Sequence, residues 1–464
     1  MTLRTTLLSC ILCFATSAVA ATQPNVVIIL ADDLGYADVG FNGCKDIPTP
    51  HIDRIAKEGA RCSSGYVSYS VCGPSRAGLI TGRYQDRFGF GRNPTINPAD
   101  ENSGLPLSET NLAEALSSVG YRTMAVGKWH LGVRPEYRPF KRGFDEFFGF
   151  LSGGHDYFPE NLTLQDLSEV TEPWAWYRTK LLRGDERVET DEYLTDELSH
   201  EAAAFVRRCD QNPFFLYLAY NAPHTPLQAT QEYLDRFDHI EDEKRKTYAA
   251  MISSMDDGVG EVLAALDETG VADRTMIYFL SDNGGAIKYG CYDNTPLRDG
   301  KGSLFEGGVR VPFAIRWPDK IPAGIDYDQP VSALDIFATA VSAAGYAPAP
   351  ERPLDGVDLA PHLSGDDPSA PHDVLFWRSF DKGEAAVRHG AQKLVDSRKH
   401  SGPKLFDLAT DVGEKHDLIE EQPDAAEALR RRFEAWDSEL IPPVFSGLGS
   451  WNPRKEPADP DLSY

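Results

Sequence analysis

One short run concentrates the chemistry of this chain: Val71-Cys72-Gly73-Pro74-Ser75-Arg76-Ala77-Gly78-Leu79-Ile80-Thr81-Gly82-Arg83. A cysteine at a helix start, just ahead of Pro-Ser-Arg, faces the positive end of the helix dipole, which favours a thiolate. As a thiolate it would be a nucleophile; the commoner fate of an isolated cysteine is to be a small buried apolar group. Two pairs of hard oxygen donors, Asp32-Asp33 and Asp282-Asn283, lie elsewhere, each directly after an apolar run. Oxygen donors alone suit Ca²⁺ or Mg²⁺ rather than zinc, although Asp and Asn at strand ends also cap turns. A basic set comprises Arg76, Lys128, His130, His224 and Lys301. Each alone reads as a solvated group or a core histidine. Gathered with a cation, they concentrate the field that an oxyanion needs. His155-Asp156, after Gly153-Gly154, could bind vicinal hydroxyls or simply form a capped turn, and Arg92 is a similar substrate-binding candidate.

These groups need a scaffold that brings them together. Asn25 to Leu30 is a continuous apolar run bounded by Pro24 and Asp32, and reads as a strand buried on both faces. Further strands are expected at Tyr121–Gly127, Phe214–Leu218 and Thr275–Leu280, and helices at Thr49–Gly59, Thr110–Val119, Thr195–Arg207 and Lys244–Leu266. Phe147 to Leu151 reads as an apolar loop. Alternating helices and apolar strands predict an α/β fold with a mostly parallel sheet covered on both faces, whose ligands sit beyond the C-terminal strand ends. Four such ends carry Asp32-Asp33, Lys128-Trp129-His130, Asn221 to His224, and Asp282-Asn283. After Ala370 the rhythm changes to short strand-like runs and a helix from Asp424 to Trp436, which predicts a smaller C-terminal domain with an antiparallel sheet. The expected division is a leader over 1–20, a catalytic domain over 21–370 and a small subdomain with its tail over 371–464. From Pro442 onward that tail reads as laid over the surface or loose.

Composition bounds the function. The net charge is −25, so long-range repulsion opposes nucleic acid and anionic membranes, while a cleft can still carry a local field of opposite sign. Met1 to Ala20 has one charge, Arg4, an apolar run from Leu7 and small residues at its end. That is the pattern of a secretory signal peptide cut near Ala20, too short to span a bilayer, and it predicts a periplasmic or secreted protein without stable membrane insertion. Removing it leaves Cys44, Cys62, Cys72, Cys209 and Cys291. If Cys72 has a chemical task, the other four allow up to two disulfides in three pairings.

Cys-x-Pro-Ser-Arg followed by Ala-x-Leu-x-Thr-Gly-Arg resembles the signature of type I sulfatases, in the alkaline-phosphatase-like superfamily. Six further matches follow in the family's order: Asp32-Asp33; Gly127-Lys-Trp-His-Leu-Gly132; Pro223-His224; Ser281-Asp-Asn-Gly284; Pro296 to Pro312; and the closing pair Leu405 to Leu408 with Gly413 to Leu418. The likeness covers essentially the whole chain after the leader. One departure is Asp299, where the family more often has glycine.

The resemblance implies that a separate maturation enzyme oxidises Cys72 to 3-oxoalanine (formylglycine). It also implies one cation, usually Ca²⁺ with Mg²⁺ as the alternative, held by Asp32, Asp33, Asp282, Asn283 and the oxygen at position 72. One hydroxyl of the hydrated aldehyde would attack sulfur in line, and deprotonation of the other would expel sulfate and restore the aldehyde. By the same likeness Arg76 steadies the hydrate, His130 is the base for the elimination, Lys128 and Lys301 bind sulfate, and His224 with Lys301 protonates the leaving oxygen. Export, the aromatics Trp129, Tyr157 and Phe158, and the His155-Asp156 pair favour a sulfated carbohydrate, with a terminal galactose-type unit as one choice. The rivals are a phosphonate or phosphate ester hydrolase of the same superfamily and a non-catalytic polyanion-binding protein.

Overall fold

The computed structural model describes residues 23–209 and 212–454. The leader over 1–20 and its cleavage near Ala20 lie outside the described residues, as does the end of the tail.

Asn25–Ala31 forms β1, buried at every position. Val26, Ile28 and Leu30 enter one core with Leu79, Leu112 and Ile336; Val27 and Ile29 enter a second with Ile52, Leu198 and Ile252. Side chains alternate along a strand, so an unbroken apolar run must be covered on both faces. The covers are helices: α1 (Pro50–Lys57), α2 (Cys72–Thr81), α3 (Leu112–Ser118), α4 (Leu194–Arg208), α5 (Glu243–Glu268) and α6 (Asp335–Ala344). α2, α3 and α6 cover the first face, and α1, α4 and α5 the other. α3 begins with a capping box, in which Asn111 takes the backbone N–H groups of Ala113 and Glu114.

The middle of the ten-stranded sheet contains β1 with β2 (Arg122–Lys128), β3 (Glu146–Phe150), β4 (Phe214–Ala219), β5 (Thr275–Ser281) and β6 (Phe313–Arg316), in spatial order β6-β5-β1-β4-β2-β3. β5, β1, β4, β2 and β3 are mutually parallel, and β6 runs antiparallel to β5. Leu30 lies level with Ala219 and with Leu280, so these strands end together at one edge. β3 corrects the loop expected at Phe147 to Leu151. The run is short, has no β-branched residue and contains Gly149, yet Phe147, Phe148 and Phe150 are buried beside β2.

The C-terminal part is an antiparallel sheet of β7 (Val374–Ser379), β8 (Glu384–His389), β9 (Gln392–Ser397) and β10 (Gly402–Asp407), followed by α7 (Pro423–Asp437). Val387, Leu394 and Leu405 pack on Ala426 and Leu429 of α7, while Trp377, Ala386, Val395 and Phe406 pack on Tyr66, Leu304, Phe305 and Val309 of the larger part. A buried ion cluster pins the second contact. Lys393 Nζ lies 2.8 Å from Glu306 Oε1 and 3.1 Å from Glu414 Oε1. Tyr66 donates to Glu306 at 2.6 Å. The tail is laid down rather than loose as far as it is described: Phe445 meets Phe90 edge-on, and Trp451 stacks on Trp176.

Cys44, Cys62 and Cys291 carry free thiols, so none of the disulfides that the sequence allowed joins these three. Cys62 and Cys291 belong to different cores, and the Arg245 guanidinium contacts both the Cys44 sulfur and the Cys291 carbonyl. Among the described residues no helix is long and apolar enough to cross a membrane.

Candidate active site

The four strand ends meet as expected. Cys72 opens α2, a helix buried along its whole length, at the C-terminal edge of the sheet. Its Sγ lies 3.5 Å from Asp32 Oδ1 and 3.2 Å from Lys301 Nζ. Burial pushes the thiol up to about 12 against the pull of Lys128 and Lys301. The encoded cysteine is therefore a thiol at neutral pH, contrary to the thiolate that its helix position alone suggests. One turn on, Arg76 sends Nε to Asp282 Oδ2 at 2.8 Å and Nη1 to the Lys128 carbonyl at 3.2 Å, tying α2 to the ends of β5 and β2.

Charges alternate around the cysteine. Lys128 Nζ sits 2.5 Å from Asp32 Oδ2, and Lys301 Nζ 2.6 Å from Asp33 Oδ1. Burial resists ionisation of Asp33, but Lys301 and His224 overcome it and hold its carboxyl at about 2. The donors for a hard cation are close at hand. Ligand atoms of Asp32, Asp33, Cys72 and His224 all lie within 4.8 Å of one another. Asn283 Oδ1 is buried with no hydrogen-bond partner, the mark of an oxygen that a cation would satisfy. Asp282 stands farther back, with Oδ2 on Arg76 and Oδ1 accepting the Asp33 N–H at 3.2 Å. The residues fit an oxygen-ligated ion. A second acidic group, His51, Asp256 and Asp257, has a structural use, since Asp256 accepts the N–H groups of His51 and Ile52 at the start of α1.

The two histidines differ. His130 has φ +57° and is buried, and neither ring nitrogen has a hydrogen-bond partner. Burial, then Lys128, Arg76 and Lys301, hold it well below the usual imidazole value, so it is neutral. Its ring fits because residue 153 is glycine: a Cβ there would lie 2.7 Å from His130 Cε1 and Nε2. His224 pairs Nδ1 with the Thr225 carbonyl at 2.6 Å, which leaves Nε2 to face the site, 3.7 Å from Asp33 Oδ2.

A cleft of about 670 Å³ opens over Cys72, His130, His224 and Lys301. Of the predicted substrate contacts, only Asp156 lines it. His155 is fully buried, with Nδ1 3.0 Å from the Asp156 carbonyl and Nε2 2.8 Å from the Thr179 carbonyl, so it braces the backbone. Arg92 spends its fork on both oxygens of Asp381 and on the Phe445 carbonyl. The expected aromatics are also internal: Trp129 donates to the Tyr137 carbonyl and Tyr157 to the His224 carbonyl, while Phe158 packs on the second core. The walls come instead from Trp174, Tyr177, Arg178, Lys288 and Tyr289. Trp174 is 58% exposed and Tyr289 38%, unusual for large aromatics. Sequence gave one clue, the Trp174-Ala-Trp176-Tyr177-Arg178 run, but nothing said which ring faced out. The departure at Asp299 fits locally. Its φ of +61° explains why glycine suits the position, and its carboxylate accepts from Ser303 and pairs with His400.

The family described as Sulfatase matches residues 24–346, well over half of the chain. The chain belongs to the sulfatase family. It is 33% identical to human N-acetylgalactosamine-6-sulfatase over 89% of this chain and 84% of that protein, and 34% identical to human arylsulfatase A over 89% and 86%. The crystal structure of Ps i-CgsB in complex with k-i-k-neocarrahexaose is 40% identical, with a TM-score of 0.86 over 91% of this chain and 94% of that one. A phosphonate monoester hydrolase of Agrobacterium radiobacter shares the fold alone, at 22% identity and a TM-score of 0.64. The sulfatase is thus an α/β enzyme of the alkaline-phosphatase-like superfamily and a sulfuric ester hydrolase.

Proposed function

We propose that this sulfatase hydrolyses sulfate esters of a carbohydrate, using formylglycine derived from Cys72 and one hard divalent cation, Ca²⁺ or Mg²⁺. The observation that carries the reading is the convergence of Cys72, three buried carboxylates, Lys128, Lys301 and two uncharged histidines at one edge of the sheet. Asp32, Asp33, Asp282 and Asn283 would hold the cation, which supplies positive charge to a nucleophilic oxygen and to the sulfate. An aldehyde at position 72, once hydrated, would supply one hydroxyl to bond sulfur as the sugar alcohol leaves, and a second whose deprotonation would release sulfate and restore the aldehyde.

The chain's own groups carry the rest. Arg76, pinned by Asp282, fixes α2 and hence position 72. Lys128 and Lys301, on their carboxylates in this structure, are placed to turn to sulfate oxygens. His130, neutral and unpartnered, can take a proton at the floor of the cleft, whereas neutral His224, its Nδ1 proton donated to the Thr225 carbonyl, presents a bare Nε2 that would take up a proton before passing it to the leaving oxygen. Trp174, Tyr177 and Tyr289 offer flat faces to sugar rings, and the neocarrahexaose bound by the Ps i-CgsB relative supports a carbohydrate substrate. Export and conversion by a maturation enzyme belong to the same reading.

Intact mass tests it. Conversion of Cys72 lowers the mass by about 18 Da, since sulfur is replaced by oxygen and two hydrogens are lost. Cys72→Ala should keep the fold and lose turnover, and chelation should abolish activity that Ca²⁺ or Mg²⁺ restores. Full activity in Cys72→Ala, or two zinc ions per active chain, would refute the mechanism.

A further inference from the structure

A second cavity, of about 560 Å³, shares Lys288 and Lys301 with the catalytic cleft. Its floor is the loop that carries Lys301, and its far wall comes from the C-terminal sheet through Lys382, Glu384, Lys399 and His400. The two acids among these walls are hydrogen-bonded, Asp299 to His400 and Glu384 to the Ser397 hydroxyl at 2.7 Å. Lys288, Lys382 and Lys399 are exposed, and among the described residues none has a carboxylate within ion-pair distance. Lys382 donates to the Gly302 carbonyl, and Lys288 lies over the Tyr289 ring. The cavity thus gathers four lysines, Lys288, Lys301, Lys382 and Lys399, against two carboxylates, Asp299 and Glu384, a local excess of positive charge in a chain whose net charge is −25.

We propose that this cavity is a second sulfate subsite, which takes a sulfate group on a sugar unit neighbouring the one whose ester lies at residue 72. The inference rests on the carbohydrate-sulfatase reading and narrows it to oligosaccharides carrying two or more sulfates. Continuity is the argument. Lys301 Nζ is 3.2 Å from Cys72 Sγ and also lines the second cavity, so the two spaces adjoin at this residue and a neighbouring sugar unit would lie beside the second one. A small aryl ester would fill the cleft and leave the second cavity untouched. Three ammonium groups without carboxylate partners attract an anion with little desolvation to repay, and their effect falls as salt screens it.

The test uses the full chain with its cation and with conversion at residue 72 verified by mass. Turnover is measured on a small aryl sulfate and on a matched pair of oligosaccharides with one and two sulfates. The native protein should favour the disulfated one, and added salt should erode that preference. Lys399→Glu, at a side chain that makes no hydrogen bond, should cut kcat/KM for the disulfated substrate about tenfold and leave the aryl sulfate unchanged. Lys382→Gln with Lys399→Gln should do the same, whereas Lys382→Arg alone should keep the native preference. Native turnover of both oligosaccharides with no preference, or a preference that survives Lys399→Glu, overturns the subsite while leaving the carbohydrate reading intact. Turnover of the aryl sulfate alone overturns both.

Discussion

Gly153→Ala is a small change with a large expected consequence. The added Cβ would stand 2.7 Å from Cε1 and Nε2 of His130, where ordinary contacts begin at 3.4 Å, so the ring must retreat by about 0.7 Å. No hydrogen bond opposes that movement, because neither ring nitrogen is hydrogen-bonded. The backbone of residue 153 is not in the left-handed region, so alanine is not strained there. The overpacking therefore relaxes through the imidazole, and stability should fall by no more than about 1–3 kcal/mol. Catalysis has less tolerance: displacing a proton-transfer group by nearly an ångström should lower kcat about a hundredfold, or roughly 2.7 kcal/mol in the barrier. KM for a small aryl sulfate should hardly change, since Lys128 and Lys301 are not touched. The assay is steady-state turnover of that substrate, normalised to the fraction converted at residue 72, for the native protein, Gly153→Ala, His130→Ala and the double variant. The double variant should be no slower than His130→Ala, because both changes act on one ring. Native kcat in Gly153→Ala at equal conversion would refute both the contact and the role given to His130.

Three other outcomes follow from the same structure. Lys393→Met leaves Glu306 and Glu414 buried and facing each other, and should destabilise the protein by about 3–5 kcal/mol, read by chemical denaturation; a loss under about 1 kcal/mol would show that the cluster is hydrated. His372 is buried, which lowers its pKa, but the Asp335 carboxylate 2.8 Å away, helped by Asp355, raises it above 6.5. Its contribution to stability is therefore complete below 6.5 and lost as pH rises through the raised value; Tm measured from pH 6 to 9 should fall less steeply in His372→Gln than in the native protein. Trp174→Ala should raise KM for an oligosaccharide about fivefold and spare an aryl sulfate, whereas His155→Ala should lower Tm and leave the substrate ratio unchanged; the reverse pattern would return the sugar contact to His155.

The contrast between Trp174 and His155 shows where sequence stops informing. The catalytic edge was legible because each of its groups is fixed by a strand end or a helix start: Asp32 follows β1, Lys128 ends β2, Asp282 follows β5 and Cys72 opens α2. Apolar runs locate those ends, and parallel pairing then requires the groups to meet. The walls obey no such rule. Residues 151–180 are turns, short 3₁₀ segments and bridges, so no periodicity separates an inward ring from an outward one. His155 and Trp174 look equally suited to a sugar, yet one is held by two carbonyls and the other stands 58% exposed. Gly153-Gly154 suggested backbone meeting a ligand; Gly153 does line the cleft, and the two glycines also admit His130 and the Tyr177 hydroxyl. The second cavity was the least visible, since it joins Lys301 to Lys382 and Lys399 of a different sheet, which come together where Trp377 and Phe406 pack on Tyr66 and Phe305 and Lys393 meets Glu306. Chemistry at the bond to be broken is thus encoded locally, near strand ends, whereas recognition of the rest of the substrate depends on how the two sheets are joined. The Lys393–Glu306–Glu414 cluster stands at that join, so weakening it should blur substrate preference before it slows the chemistry at residue 72.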